Sequence, residues 1–375
     1  MTKRGLSTKA IHGGDERGGF TDIIPPIHRT AIFLHPTDVN IRGRELKYSR
    51  EDNPTVYLLE RRMMELEGGN DCLAFSSGMA AISTLILGTL SKDDVIVTSK
   101  EIYGATLQLF RFLEKFGIKV VAVLNEEVSN YVKQGVKMVF VETITNPLLK
   151  VSDIPNLVKI CKEVGAILVV DNTFATPILA RPLEMGADYV IESATKYLGG
   201  HNDVIAGILV GWNLNGIWDW RKNLGGCLDP FAAYLVLRGL KTLKLRVLEH
   251  CRNAEEVVKY LTSHKKVKKV YYPTLNHDYE MVRKFMDKFG GVVSFELENG
   301  EKAIKVLKSL KIIKRAPSLG GVESIMSHPA TSSHKNLSKE EREELGISDG
   351  LLRLSVGLED VNDIINDLDQ ALANI

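Results

Sequence analysis

Apolar residues gather along this chain in short unbroken runs rather than in alternating ones. Seven such runs, Cys72–Phe75, Asp94–Thr98, Lys119–Val123, Met138–Val141, Ile167–Val170, Tyr189–Ile191 and Ile205–Val210, are separated by stretches with helical spacing. A strand that is apolar throughout is buried on both faces, and strands alternating with helices predict a mostly parallel sheet sandwiched by helices. Upstream, helical spacing through Tyr57-Leu58-Leu59 and Met63-Met64-Leu66 stops at Gly68-Gly69. Downstream, Arg238–Arg252 reads as a long amphipathic helix bridging to a second unit. That unit offers strands at Val270–Tyr272, Gly291–Leu297 and Leu351–Val356, with helices at Glu301–Leu310 and Val361–Leu372. Residues 1–50 have no clean periodicity and carry Gly13-Gly14 and Pro25-Pro26, which predicts disorder or an arm that packs on something else.

Bulk properties narrow the function more than they name it. At 375 residues, with 44% hydrophobic and 25% charged positions, the chain has the composition of a globular protein with room for two domains. A formal net charge of +1 supplies no field for nucleic acid or an anionic membrane, so neither partner is expected. The four cysteines are scattered without paired spacing, the start has no signal-like apolar stretch and no run reaches spanning length. A cytoplasmic, reduced protein is expected. His328 and His334 stand six apart, which fits no usual ligand spacing, so no metal is expected.

Ligands of open parallel sheets bind outside the carboxyl ends of the strands, so the residues that follow each run matter most. After Cys72–Phe75 comes Ser76-Ser77-Gly78-Met79, small residues opening a helix, where free amides and the helix dipole suit a phosphate. After Asp94–Thr98 comes Tyr103-Gly104, a ring free to stack; after Met138–Val141 comes Glu142-Thr-Ile-Thr-Asn146; after Ile167–Val170 comes Asp171. After Tyr189–Ile191 comes Ser193-Ala194-Thr195-Lys196, a lysine with hydroxyls one and three positions before it. Each has a structural explanation by itself: an acid at a strand end caps turns, and lysines mostly sit in solvent. Jointly, an anion cup, an aromatic ring, an acid and a hydroxyl-flanked lysine match one ligand, pyridoxal 5′-phosphate (PLP), whose parts are a phosphate, a basic aromatic ring and an aldehyde. A nucleotide-binding α/β protein is the alternative from another class, but neither GxxxxGK[ST] nor GxGxxG occurs in the chain.

Further stretches sharpen this reading: Tyr48-Ser-Arg50 with Asn53-Pro-Thr55, Val170-Asp-Asn-Thr-Phe174, Leu237–Leu243, Ser318-Leu-Gly-Gly-Val-Glu-Ser324 and Leu352–Asp360. With Ser76–Ile82 and Ser193–Gly200 they span nearly the whole chain, which resembles the trans-sulfuration, or Cys/Met-metabolism, family of PLP enzymes, including cystathionine γ-synthase, cystathionine γ-lyase and methionine γ-lyase. The resemblance implies PLP fold type I, aspartate-aminotransferase-like, with an arm over 1–48 clasping a neighbouring subunit, a PLP-binding domain over 49–247 and a smaller α+β domain over 248–375. It implies a homo-oligomer, a tetramer built as a dimer of dimers, acting on small amino-acid substrates.

The resemblance also implies site roles. Lys196 would hold the cofactor as a Schiff base and move protons, Asp171 would pair with the ring nitrogen and Tyr103 would stack on the ring. Asn146 would contact the phenolic oxygen, and Gly78, Met79, Ser193 and Thr195 would bind the phosphate. Tyr48 and Arg50 would reach a neighbouring subunit's phosphate, while Arg353, with Ser318 nearby, would grip the substrate α-carboxylate. The implied chemistry is γ-elimination or γ-replacement, with cystathionine γ-synthase or γ-lyase first and methionine γ-lyase or O-acylhomoserine sulfhydrylase as alternatives. Glu323 is a residue type suited to a distal amino group, whereas Lys47 would favour an anionic tail or simply extend into solvent.

Overall fold

The structure, a computed structural model, describes residues 4–15, 22–276, 279–335 and 337–375. All seven apolar runs are strands of one sheet: β1 (Asp71–Phe75), β2 (Val95–Ser99), β3 (Lys119–Val123), β4 (Val136–Glu142), β5 (Ile167–Asp171), β6 (Tyr189–Glu192) and β7 (Gly207–Gly211). Their order is β1-β7-β6-β5-β4-β2-β3, parallel throughout except that β7 runs against both its neighbours. Side chains alternate between the faces. Along β4, Met138 and Phe140 enter a core shared with Leu85, Phe110 and Trp218, whereas Val139 and Val141 pack with Leu157 and Cys161 on the other side. Both faces are covered, which is why the runs are apolar throughout.

The helix Pro54–Glu67 begins where Asn53 caps it, its side chain accepting from Thr55 and Val56 N–H, with Pro54 in the first turn. It ends at Gly68, whose φ of +81° is open to glycine at little cost. The expected helix Arg238–Arg252 is two helices, Pro230–Leu240 and Leu243–Ser263. Gly239 lies against the backbone of Leu198 and Gly199, so close that a Cβ would meet Gly199 O at 2.4 Å, and this contact stands beside the break at Lys241-Thr242. The expected boundary at residue 247 falls inside Leu243–Ser263, which belongs to a core reaching from Met63 and Val190 to Phe295 and Leu354.

The C-terminal sheet is β8 (Lys269–Tyr271), β9 (Val292–Glu296), β10 (Lys314–Arg315), β11 (Ile325–Ser327) and β12 (Leu351–Ser355), in the order β8-β9-β12-β11-β10. The strands β10 and β11 had no periodic signal, being two and three residues long. The first fifty residues hold more order than their pattern suggested. A helix, Leu6–His12, packs on Pro54–Glu67 and Leu243–Ser263, and a ribbon pairs Asn40–Ile41 with Arg44–Glu45; residues 16–21 of the expected arm lie outside the described ones.

That ribbon is tied down by buried charge. Arg42 meets Asp71 and Glu60, the latter at 2.8 Å; Glu60 also accepts from Arg221 at 2.6 Å and from Ala74 N–H at 2.9 Å. Asp52 accepts from Trp218 Nε1 at 3.1 Å beside Arg221. Among the described residues no helix is long and apolar enough to cross a membrane.

Candidate functional site

Strands β4, β5 and β6 end together, with Glu142 opposite Asp171 and Asp171 opposite Ile191 in the registers. Beyond this rim lies a cavity of about 630 Å³, within the range of small-molecule sites. Its floor is the strand ends, and one wall is the start of the helix Gly78–Thr89, where Ser77 caps by accepting from Ala80 N–H at 3.1 Å. Opposite stands the 193–196 turn: Ser193 N–H donates to Thr173 Oγ1 (2.8 Å), and Thr195 Oγ1 exchanges hydrogen bonds with the backbone of Ala206. Gly78 sits so close to Ser193 that a Cβ would lie 3.2 Å from Ser193 Cβ. The C-terminal domain supplies the roof through Pro317–Leu319, Thr331–Ser333 and Lys335. Ion pairs of Lys100 with Glu344 (2.6 Å) and Arg111 with Glu341 (3.9 Å) clamp it to the large domain.

Three charged groups meet in this cavity. Lys196 Nζ donates to Ser318 Oγ at 2.6 Å, and burial, aided by the charge of Arg353, lowers the amine to about 8. Ser318 has φ +89°, a strained value for a residue with a side chain, and its carbonyl accepts from Arg353 Nη2 at 2.8 Å. Arg353 Nη1 donates to Asn146 Oδ1 at 2.7 Å, so its guanidinium is fixed by neutral groups and by no carboxylate among the described residues. Among the described residues Asp171 accepts from Thr173 alone, through N–H (3.1 Å) and Oγ1 (2.5 Å), and burial raises its carboxyl above the ordinary range.

The structure thus brings Lys196, Asp171, Asn146, Tyr103, Gly78, Met79, Ser193, Thr195, Ser318 and Arg353 around one cavity. The other expected positions lie elsewhere in this chain. Arg50 donates to Lys222 O (2.7 Å) beside the exposed Tyr48 ring, and Lys47 is in solvent 3.8 Å from Glu51. Glu323 is exposed, accepting from Asn202 Nδ2 at 2.7 Å. His328 bonds Asp349 O and His334 bonds Ser333 Oγ, each through a ring nitrogen. Glu142 also lines the cavity: it accepts from Tyr103 N–H at 2.6 Å, and burial, then the charge of Asp171, push its carboxyl well up. It was visible as an acid at a strand end, passed over for Asn146.

Comparison with known proteins decides what this cavity is for. Residues 7–373 match the model of the family described as Cys/Met metabolism PLP-dependent enzyme. The chain belongs to this family. Among curated relatives, the L-methionine gamma-lyase of Fusobacterium nucleatum subsp. nucleatum is 43% identical over all of both chains. The cystathionine gamma-lyase of Bacillus subtilis is 40% identical over 98% of this chain and 99% of its own. The solved structure of metB from Corynebacterium glutamicum superposes with a TM-score of 0.93 at 39% identity, over 99% of this chain and 98% of that one.

The residues present fit the cofactor of this Cys/Met-metabolism enzyme. Asp171 is a buried acid with no basic side chain against it, which suits a protonated ring nitrogen. Gly78 and Met79 line the cavity at the start of a capped helix, a position that suits a phosphate. Lys196 is an amine held near neutrality by desolvation, which suits an aldehyde.

Proposed function

We propose that this chain catalyses γ-elimination or γ-replacement on sulfur amino acids or activated homoserine, as a cystathionine γ-synthase or cystathionine γ-lyase, with methionine γ-lyase or O-acylhomoserine sulfhydrylase as the alternatives. One observation carries the reading: a desolvated amine, an acid and a guanidinium line the same cavity, the last two hydrogen-bonded to neutral groups alone among the described residues. Bound PLP supplies an electron sink for the electrons left behind when the substrate's Cα proton departs.

Asp171 holds the ring nitrogen protonated, Asn146 orients the ring's phenolic side and Tyr103 covers a ring face. Gly78, Met79, Ser193 and Thr195 bind the phosphate. Arg353 already has two N–H groups fixed by Asn146 and Ser318, so it offers a rigid fork edge to the α-carboxylate. Lys196 Nζ would supply the covalent anchor; once the substrate amine displaces it from that carbon, the freed amine could take the Cα proton and return it, with Ser318 Oγ steering it. Tyr103 is the acid and base nearest the leaving group. Water entry gives 2-oxobutanoate and ammonia, whereas a thiol at Cγ gives a thioether, so the occupant of the distal space decides the outcome.

Tyr48 and Arg50 complete a neighbouring subunit's phosphate site, which accounts for their position away from this chain's cavity. Ile23 and Leu34 of the same arm stand 96% and 90% exposed, an apolar surface suited to burial in a homo-oligomer, a tetramer built as a dimer of dimers. The working compartment is the cytoplasm.

The test begins with colour. Purified protein should be yellow, borohydride should bleach it, and the reduced label should map to Lys196; a label on another lysine overturns the site. A panel of cystathionine, methionine and acetyl-, succinyl- and phospho-homoserine, each with and without cysteine, then separates oxobutanoate release from thioether formation.

A further inference from the structure

Beside Asp171 lie two carboxyl groups that the proposed chemistry does not use. Glu67 ends the helix Pro54–Glu67 and Glu192 ends β6; neither has any exposed surface. Their side chains are within hydrogen-bond reach of each other. Asn172 Nδ2 donates to Glu192 Oε1 at 3.2 Å and also lies near Glu67, yet among the described residues no donor reaches hydrogen-bond geometry with either oxygen of Glu67 or with Glu192 Oε2. Ionised carboxylates only accept, so two of them in contact cannot satisfy one another. One proton between them resolves this, as it does wherever two acids share a dry site.

Among the described residues no cation forms an ion pair with either carboxyl. The charged groups facing them are Asp171 at the end of β5, Arg181 just before the short helix Pro182–Met185 and Glu184 within it; Arg181, whose charge favours ionised Glu67, pairs with Glu184. Burial pushes Glu67 up to about 7; burial and then the charge of Glu67 push Glu192 well above the carboxylate range.

Asn172 connects the pair to the cavity. It follows Asp171 directly, its Oδ1 accepts from Thr143 Oγ1 (2.7 Å), its Nδ2 also donates to Ala180 O (3.0 Å) and its N–H donates to Ile191 O (2.8 Å). Four bonds to three surrounding segments therefore set Asn172, and through it the backbone of Asp171.

We propose that Glu67 and Glu192 form an acid–carboxylate couple sharing one proton, and that this couple is a positioning element holding Asn172, and hence Asp171, at the floor of the cofactor cavity. The positioning half rests on Asp171 facing the PLP ring; the shared proton does not. Loss of the proton sets two like charges against each other without water, so the couple parts and Asn172 loses an acceptor of fixed position. Both carboxyls titrate above their unfolded values, so the folded chain keeps protons that the unfolded chain has released. Stability from this source is greatest below the unfolded value of 4.5 and falls as pH climbs toward 7.

Wild type, Glu67→Gln, Glu192→Gln and Glu192→Leu test this. An amide at 67 or 192 replaces the shared proton by an N–H donor that does not titrate. In PLP-free protein, the thermal midpoint of wild type should fall relative to Glu67→Gln as pH rises over about 5 to 7. The infrared absorption of protonated buried carboxyls should be lower in both amide variants than in wild type, with Glu142 contributing equally to all three. PLP titrated into each protein should bind both amide variants nearly as tightly as wild type, but Glu192→Leu, which strips the Asn172 amide of its acceptor, at least roughly tenfold more weakly. Parallel midpoints for wild type and Glu67→Gln, or carboxyl absorption equal in wild type and both amides, overturn the shared proton. Undiminished PLP binding by Glu192→Leu overturns the positioning role; should that variant not fold, loss of PLP binding in the folded Glu192→Gln does so. A wild type that binds no PLP would sink the cofactor site itself, while the midpoints still decide the proton.

Discussion

Two regions of this protein place charge out of solvent, and the chain treats it in opposite ways in each. Around Glu60 every charge has a counterpart: Arg42 and Arg221 flank the carboxylate, Asp71 and Asp52 complete the set, and Trp218 and Ala74 supply the remaining donors. In the cavity, the part-buried Asp171 and Lys196 and the buried Arg353 are steadied by hydroxyls, an amide and a carbonyl. Desolvation costs free energy in both places. Only in the first is it offset from within the chain, and the second waits for a ligand carrying a cationic ring nitrogen, an aldehyde and a carboxylate. Matched charge holds a fold together; unmatched charge marks the place where chemistry is done.

Breaking each region should therefore give opposite signatures. The largest effect is expected from Lys196→Ala, which should slow turnover by roughly a thousandfold or more in a substrate-panel assay, while leaving the thermal midpoint unchanged or raised. The amine's depressed value adds a pH signature. Between about 8 and its ordinary 10.5 the unfolded chain holds a proton that the folded chain has shed. PLP-free wild type should then gain stability relative to Lys196→Met as pH rises through that window, and equal slopes would show the amine to be solvated.

Glu60→Ala should do the reverse. It removes the carboxylate that two buried guanidinium groups share and leaves each with a single acid, so urea denaturation should show a loss of about 3 kcal/mol with little change in kcat of the protein that remains folded. A smaller effect is expected from Arg353→Lys: one fork edge is lost, so KM for any α-amino acid substrate should rise about tenfold, and a change in kcat alone would place Arg353 elsewhere in the reaction. The smallest concerns Lys47, an exposed cation 3.8 Å from Glu51. Lys47→Glu should shift the preference between anionic-tailed and neutral substrates by no more than a few-fold, and an unchanged ratio retires it as a specificity residue.

Much of this was legible along the chain. Seven buried strands have no polar face, so each announced itself as an apolar run, and the residue just past each run had to lie at the rim where parallel strands end. Lys196, Asp171 and Tyr103 were found that way, and Glu142 could have been. What sequence order could not supply was which distant segments meet. Ser318 lies 122 positions from Lys196 and Arg353 lies 207 from Asn146, and they touch because the C-terminal domain is folded back over the strand ends. The same holds for the break after Leu240, set beside the backbone of Leu198 and Gly199, and for Glu67 against Glu192, ordinary surface letters until a helix end and a strand end enclose them. Local pattern determined the elements, the rim and the reactive residue types, because periodicity and turn chemistry act over a few residues. Protonation, pairing and strain were decided only by tertiary packing, because they depend on which groups share a volume from which water has been removed.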